Sequence, residues 1–300
     1  MNTIVTYATT LLFMIAFVFS SEAQTEDQNE TDQGGMPEPQ QTVLDGAYVK
    51  EHNPTKRVIP YPHLREADVM WAKRVWQVID LREKMNHPLY FPLEEIEDRK
   101  SLFQVIIDEL ENGAITAYSL GPTEDDDEFR YPMTEDMIDS LLYPEVTNQI
   151  PDMDNPGNMI TVTNVQKLQS RTITQFQIKE DWIFDKQRSE RYVRIIGIAP
   201  MKEEYNDDGS KRGYKTLFWL YFPQCRYVFA NHSTFNKSND AQRLTYEDFF
   251  QKRMFSSYII KEANVYDRSI LSYAKGIDAL VEAKEIKQEL FIMEHDLWHY

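Results

Sequence analysis

Residues 61–92, YPHLREADVMWAKRVWQVIDLREKMNHPLYFP, place two tryptophans in a dense field of charge, and their reading decides how the first half of the chain folds. Trp71, Val75 and Val78, flanked by Ala72, Trp76 and Ile79, recur at three- and four-residue steps. That spacing predicts an amphipathic helix over residues 67–85. Pro88 and Pro92 then limit it, with Leu89, Tyr90 and Phe91 extended between them. On such a helix Trp71 shares a stripe with Arg82, whereas Trp76 lies between Ala72 and Ile79. Trp71 is therefore the candidate for an exposed contact and Trp76 the candidate for the core. Arg65, Arg74 and Arg82 supply long guanidinium groups around the rim, and Glu66, Asp68 and Asp80 give it mixed sign. Arg65, Trp71, Arg74 and Arg82 together form a candidate interface that sets register as well as attraction. The plainer alternative is two core tryptophans on an ordinary packed helix.

Outward from this stretch, residues 93–111 carry Ile96, Leu102, Phe103, Ile106, Ile107 and Leu110 as a core stripe, with Gly113 as a stop. A strand over residues 114–120 and a short helix opened by Thr134, with Glu135 and Asp136 in its first turn, complete a mainly helical lobe over residues 43–143. Residues 144–158, PEVTNQIPDMDNPGN, hold three prolines and several amides, which predicts an irregular linker over residues 144–160. Beyond it the apolar period drops to two at residues 172–178, 191–198, 214–222 and 226–230. NDDGSKRG, residues 206–213, reads as a turn, and Pro223 with Gln224 as a tighter break. Helices over residues 245–260 and 270–294 would cover one face. The expected fold class is α+β: a helical N-terminal lobe, then an antiparallel sheet with covering helices over residues 161–300.

At the N-terminus the apolar run LLFMIAFVFS, residues 11–20, ends in Ser21, Glu22 and Ala23, so residues 1–23 read as a signal peptide cleaved after Ala23. The run is too short to span a bilayer comfortably, and no cysteine near the cleavage point offers a lipid anchor. Residues 24–42 are acidic and polar with almost nothing apolar, which predicts a tether. Cys225 is the only cysteine and lies in an apolar pattern, so a buried filler is expected rather than a disulfide or reactive thiol. With 49 acidic against 32 basic residues the formal charge is -17, which argues against nucleic acid or anionic lipid as a general partner.

The chemical motifs are incomplete. His295 and His299, four apart with Asp296 between them, imitate a zinc-protease pair, but Asp is shorter than the usual Glu base and almost no chain remains for a third ligand. DMDNPG, residues 152–157, begins like a calcium loop and puts Pro156 where a ligand belongs. EDDDE, residues 124–128, reads as a solvated acidic loop. His232 beside Ser233 is adjacency in sequence, which does not align a hydroxyl with an imidazole. The sequence therefore assigns no catalytic residue, no cofactor and no metal ligand.

Three strings carry a resemblance: residues 61–92, KTLFWLYFPQCRYVFANH at 215–232, and GIDALVEAKEIKQELFIMEHDLWHY at 276–300. They are similar to the GldN family of the Bacteroidota, called PorN in non-gliding relatives, from about residue 44 to the C-terminus. The resemblance implies a non-enzymatic periplasmic subunit of the type IX secretion and gliding motility machinery, forming a ring with the outer-membrane lipoprotein GldK or PorK. Neighbouring copies of the chain and the periplasmic part of GldM or PorM are the further partners it implies. A second reading is an exported binding module in which Trp71, Trp76 and Trp219 stack on a small molecule or glycan. At the C-terminus Ile277, Leu280, Ala283, Ile286, Leu290, Met293 and Leu297 form an apolar stripe, which packs either on its own sheet or on a neighbour.

Overall fold

The computed structural model describes residues 56–296 apart from 97–98, 124–125, 152–158, 166, 207 and 240. The signal peptide, the tether, the calcium-like loop and His299 lie outside the described residues. Where the spacing predicts a helix over residues 67–85, the chain forms strand β1 (Val69–Asp80). Its first six residues alternate between half-buried and exposed, and the next five are all buried. A run buried on both faces satisfies helical spacing as readily as strand spacing, so periodicity alone cannot choose. Here the β-branched Val75, Val78 and Ile79 and the two indoles favour the pleated surface.

β1 pairs antiparallel with β6 (Ile173–Asp185) on one side and β12 (Tyr258–Glu262) on the other. Beyond β6 come β7 (Glu190–Tyr205), β9 (Trp219–Tyr221), β2 (Ala117–Ser119) and β3 (Tyr131–Pro132), while β8 (Lys211–Thr216) pairs with the far end of β7. β1 comes from before residues 144–160 and its partners from after, so one antiparallel sheet draws on both stretches. Within the expected linker, β4 (Glu145–Pro151) pairs with β5 (Met159–Val165) in a separate hairpin. Pro144 and Pro151 stand just before and at the end of β4, where a missing N–H costs least. A short pair, β10 (Ser233–Thr234) and β11 (Leu244–Thr245), closes the strand inventory of the described residues.

After the single turn α1 (His87–Tyr90), helix α2 spans Leu102–Glu111, shorter than expected because Ser101 caps it, its hydroxyl accepting from the Gln104 N–H. α3 (Glu135–Leu142) follows Thr134 with its acidic first turn, as anticipated. Residues 226–230 are not a strand: α4 (Phe222–Phe229) takes in 226–229 with Ala230 as its C-cap, and Pro223 sits in the first turn, where the fixed φ suits a helix and no N–H is needed. The expected helix over 245–260 is instead α5 (Tyr246–Gln251) followed by β12. Thr245 and Asp248 form a capping box at its start, and Arg253, with φ 52°, turns the chain away soon after its end. At the C-terminus a 3-10 turn at Ile270–Ser272 precedes Gly276, whose φ of 61° leads into α6 (Ile277–Asp296).

The main core lies between the sheet residues Phe176, Ile178, Ile198 and Leu220 and helices α2, α4 and α5. A second cluster joins Val75 and Ile259 of the sheet to Ala279, Ala283, Ile286 and Leu290 of α6. A third surrounds Trp76, Ala199 and Trp219. There Gly197 is required by close approach, since a Cβ would come within 2.7 Å of Phe129 and 3.0 Å of Trp219.

Candidate interaction surfaces

Because β1 is a strand, successive side chains leave it on opposite sides, and the four candidate interface residues do not share one face. Trp71 is half-buried, packed against the cluster beneath α6. Arg74 points to the other side, exposed, and grips Asp181 through two hydrogen bonds of 2.6 and 2.8 Å, which hold its guanidinium pKa above the usual value. Arg82 lies past the end of β1, donating to both Asp80 oxygens at 2.9 and 2.6 Å and to the Tyr214 hydroxyl at 2.9 Å. Burial works to raise the Asp80 carboxyl, yet hydrogen bonds from Arg82 and Gln175 outweigh it and hold the group below the usual carboxylate range. Arg65 is exposed just before a 3-10 turn at Glu66–Asp68. Trp76 is core, 5% exposed, with its indole N–H donating to Asp127. Lys179, itself buried, bonds Asp127 at 3.1 Å and lies over the rings of Trp76 and Phe129.

A second surface was not visible in the sequence. Upstream of β1 the backbone crosses the body as a strap. Lys56 pairs with Asp248. The Ile59 carbonyl accepts from Arg226 at 2.8 Å, and the Pro62 carbonyl accepts from Arg194 at 2.6 Å. The Tyr61 ring has the Arg226 guanidinium 4.1 Å and the Arg194 guanidinium 5.3 Å from its centre. Arg226 is buried and also bonds Glu247 at 2.7 Å. These partners stand more than a hundred residues from the strap, so no local spacing announces them.

The titratable groups inside the fold are structural. Glu180, fully buried, accepts from Gln77 at 2.8 Å, Trp182 at 3.2 Å and Arg253 at 2.8 and 3.2 Å, which leaves the carboxylate fully engaged. The Cys225 thiol, buried, is pushed up to about 12 by desolvation, the state of an inert filler. A shallow groove of about 760 Å³ holds His232, Glu109, Tyr221 and Tyr227. His232 Nδ1 is 3.0 Å from the Val228 carbonyl and its Nε2 is 3.9 Å from Glu109, while Ser233 does not line the groove. Nucleophile, base and orienting group do not converge there. Among the described residues no three His, Cys, Asp or Glu gather to hold a metal ion. Trp76 and Trp219 are buried and Trp71 half-buried, so the three tryptophans offer no stacking platform for a sugar.

α6 presents two apolar faces. Ala279, Ala283, Ile286 and Leu290 pack on the chain's own sheet, whereas Ile277 and Leu280, expected in the same stripe, point outward with Val281, Phe291 and Ile292. No helix among the described residues is long and apolar enough to cross a membrane.

The described residues thus combine buried ion pairs with exposed apolar and arginine-bearing surfaces. The family described as gliding motility associated protein GldN matches residues 64–299, and the chain belongs to that family. It is a non-enzymatic protein associated with gliding motility and type IX secretion. No individual curated protein matches the chain significantly.

Proposed function

We propose that the chain is exported by residues 1–23, works in the periplasm, and is held at the outer membrane as a ring subunit by the lipoprotein GldK or PorK. The family match over residues 64–299 carries this reading. Neighbouring copies supply the ring contacts, and the periplasmic part of GldM or PorM is a further partner. A ring needs one patch to meet a different patch on its neighbour, and this chain exposes several unlike patches. Arg65, Arg74 and Arg82 serve as rim contacts, and Trp71 through the part of its ring that α6 leaves open. Affinity purification from detergent-extracted membranes should recover the lipoprotein with the chain. A strictly monomeric protein with no envelope complex would overturn the reading. Trp71→Ala should weaken that complex while the subunit stays folded, and wild-type assembly by the folded variant would remove Trp71 from the interface.

A further inference from the structure

A cavity of about 350 Å³ lies between α6 and the sheet, at the lower end of the range that small-molecule sites occupy. Trp182 of β6, Ile259 of β12, Leu290 of α6 and Phe255 give it apolar walls. Its polar groups come from Arg253, Ser256, Ser257 and Gln77, and the exposed Met85 and Lys287 stand at its mouth. On a chain with a formal charge of -17, two cations line this cavity and no carboxylate does.

The donors of the cavity outnumber what the chain offers them. Arg253 faces the buried Glu180 end-on, which engages two of its five guanidinium N–H groups, at 2.8 and 3.2 Å, and balances its charge. The other three have no hydrogen-bond partner among the described residues. That guanidinium lies 5.8 Å from the centre of the Trp182 ring and 5.1 Å from that of Phe255. Asn86 fixes Ser256 through its backbone N–H at 2.8 Å and carbonyl at 2.9 Å, which leaves the hydroxyl without a hydrogen bond among the described residues. Lys287 makes no ion pair among the described residues. Its neighbours one turn away along α6 are Ala283, Lys284, Leu290 and Phe291, so the helix supplies no carboxylate either. Gln77, by contrast, is fully used, donating to Glu180 at 2.8 Å and accepting from Ser257 at 2.6 Å.

The balance is one net positive charge and a surplus of N–H and O–H donors beside an indole and a phenyl ring. Water satisfies donors singly, whereas an anion satisfies several at once and also meets the charge. We propose that this cavity binds a small organic anion, a monocarboxylate with an aromatic or branched apolar body, whose carboxylate sits between Lys287 and Arg253 and whose body lies against Trp182. Such a ligand touches α6 through Lys287 and Leu290, and the segment between α5 and β12 through Arg253 and Ser256. It fastens α6 to the sheet at a place where two of the four inner residues of the helix are alanines.

Benzoate tests this, with benzamide as its neutral isostere and inorganic phosphate as an anion without an apolar body. In nuclear magnetic resonance spectra of the full chain after signal-peptide removal, benzoate should shift the Trp182 indole N–H and the Ser256 and Lys287 amides saturably, with a Kd on the order of 1 mM. At about 10 mM it should raise the thermal midpoint by about 3–6 °C. Lys287→Gln should weaken binding at least about fivefold at an unchanged midpoint without ligand, and Lys287→Arg should keep it within about twofold. Benzamide should bind at least about fivefold more weakly than benzoate. No saturable shift at those three positions, equal binding of benzamide, or a Lys287→Gln chain that binds like wild type would overturn the proposal. Phosphate binding as tightly as benzoate would show that the apolar walls contribute nothing and overturn the assigned ligand class. None of these outcomes depends on whether the chain joins a ring.

Discussion

The two larger clusters of this molecule are closed by different means. Beneath α4 and α5, rings meet rings: Phe250 packs against Phe222 at 5.4 Å, Phe229 at 6.0 Å and Phe249 at 6.2 Å between centroids. Beneath α6, the helix is seated through Ala279 and Ala283 with Ile286 and Leu290. Alanines allow close approach but remove little apolar area from water, so each residue there adds less than a buried phenyl ring does. The aromatic cluster is thus built to hold the subunit together, and the α6 cluster to position a helix that also carries large apolar side chains, Phe291 among them, on its outside.

Four measurements would break or sharpen that contrast. Phe250→Ala should have the largest effect, lowering unfolding free energy by about 3–5 kcal/mol in a urea titration, because the rings around it cannot collapse into the space. A loss under about 1 kcal/mol would place the weight of the fold elsewhere. Ala283→Leu adds bulk where α6 meets the sheet and should cost about 1–3 kcal/mol. If it is neutral, the helix is not seated closely.

A smaller effect depends on pH. Asp80 and Asp248 are both held below the usual carboxylate range; burial works the other way in each and is outweighed, by Arg82 and Gln175 at Asp80 and by Lys56 and Thr245 at Asp248. A depressed carboxyl contributes stability above its unfolded pKa and loses it as pH falls through the folded value. Stability should therefore decline below about pH 4, and less steeply in Asp80→Asn with Asp248→Asn. An identical acid limb in that double variant would show that other carboxylates set it. Leu280→Asp, on the outward side of α6, should change stability by no more than about 0.5 kcal/mol. A larger loss by thermal melting would mean that this face is needed by the subunit itself.

What the sequence disclosed follows the same division. α2 was readable because its apolar residues occupy one stripe, but its start was drawn at residue 93 because the cap at Ser101 was passed over. Trp76 was correctly assigned to the core, although the helix that suggested it is a strand. β1 was misread because Val75, Trp76, Gln77, Val78 and Ile79 are buried on both sides, which erases the alternation that would have identified it. In α4 the apolar residues Phe222, Cys225 and Phe229 do recur at helical steps, but Pro223 carried more weight as a breaker than as a first-turn residue. The stripe drawn along α6 combined inner and outer residues, since a helix apolar on two sides has no single face to find. The setting of the candidate interface was least legible. Arg74 meets Asp181, and Arg82 meets Tyr214, across more than a hundred residues.

The strap ahead of β1 also defines how the chain bears load. Tension applied at Lys56 meets the Asp248 pair, then the Arg226 bond to Ile59, then the Arg194 bond to Pro62, one contact at a time. From Val69 the strand is held along one edge by β6, and from Val75 along both edges, by β6 and β12. Resistance to peeling therefore rises along the chain, and a pull that strips the strap is arrested where the second row of backbone hydrogen bonds begins. Under such a pull the strap would be released before the centre of the sheet was reached.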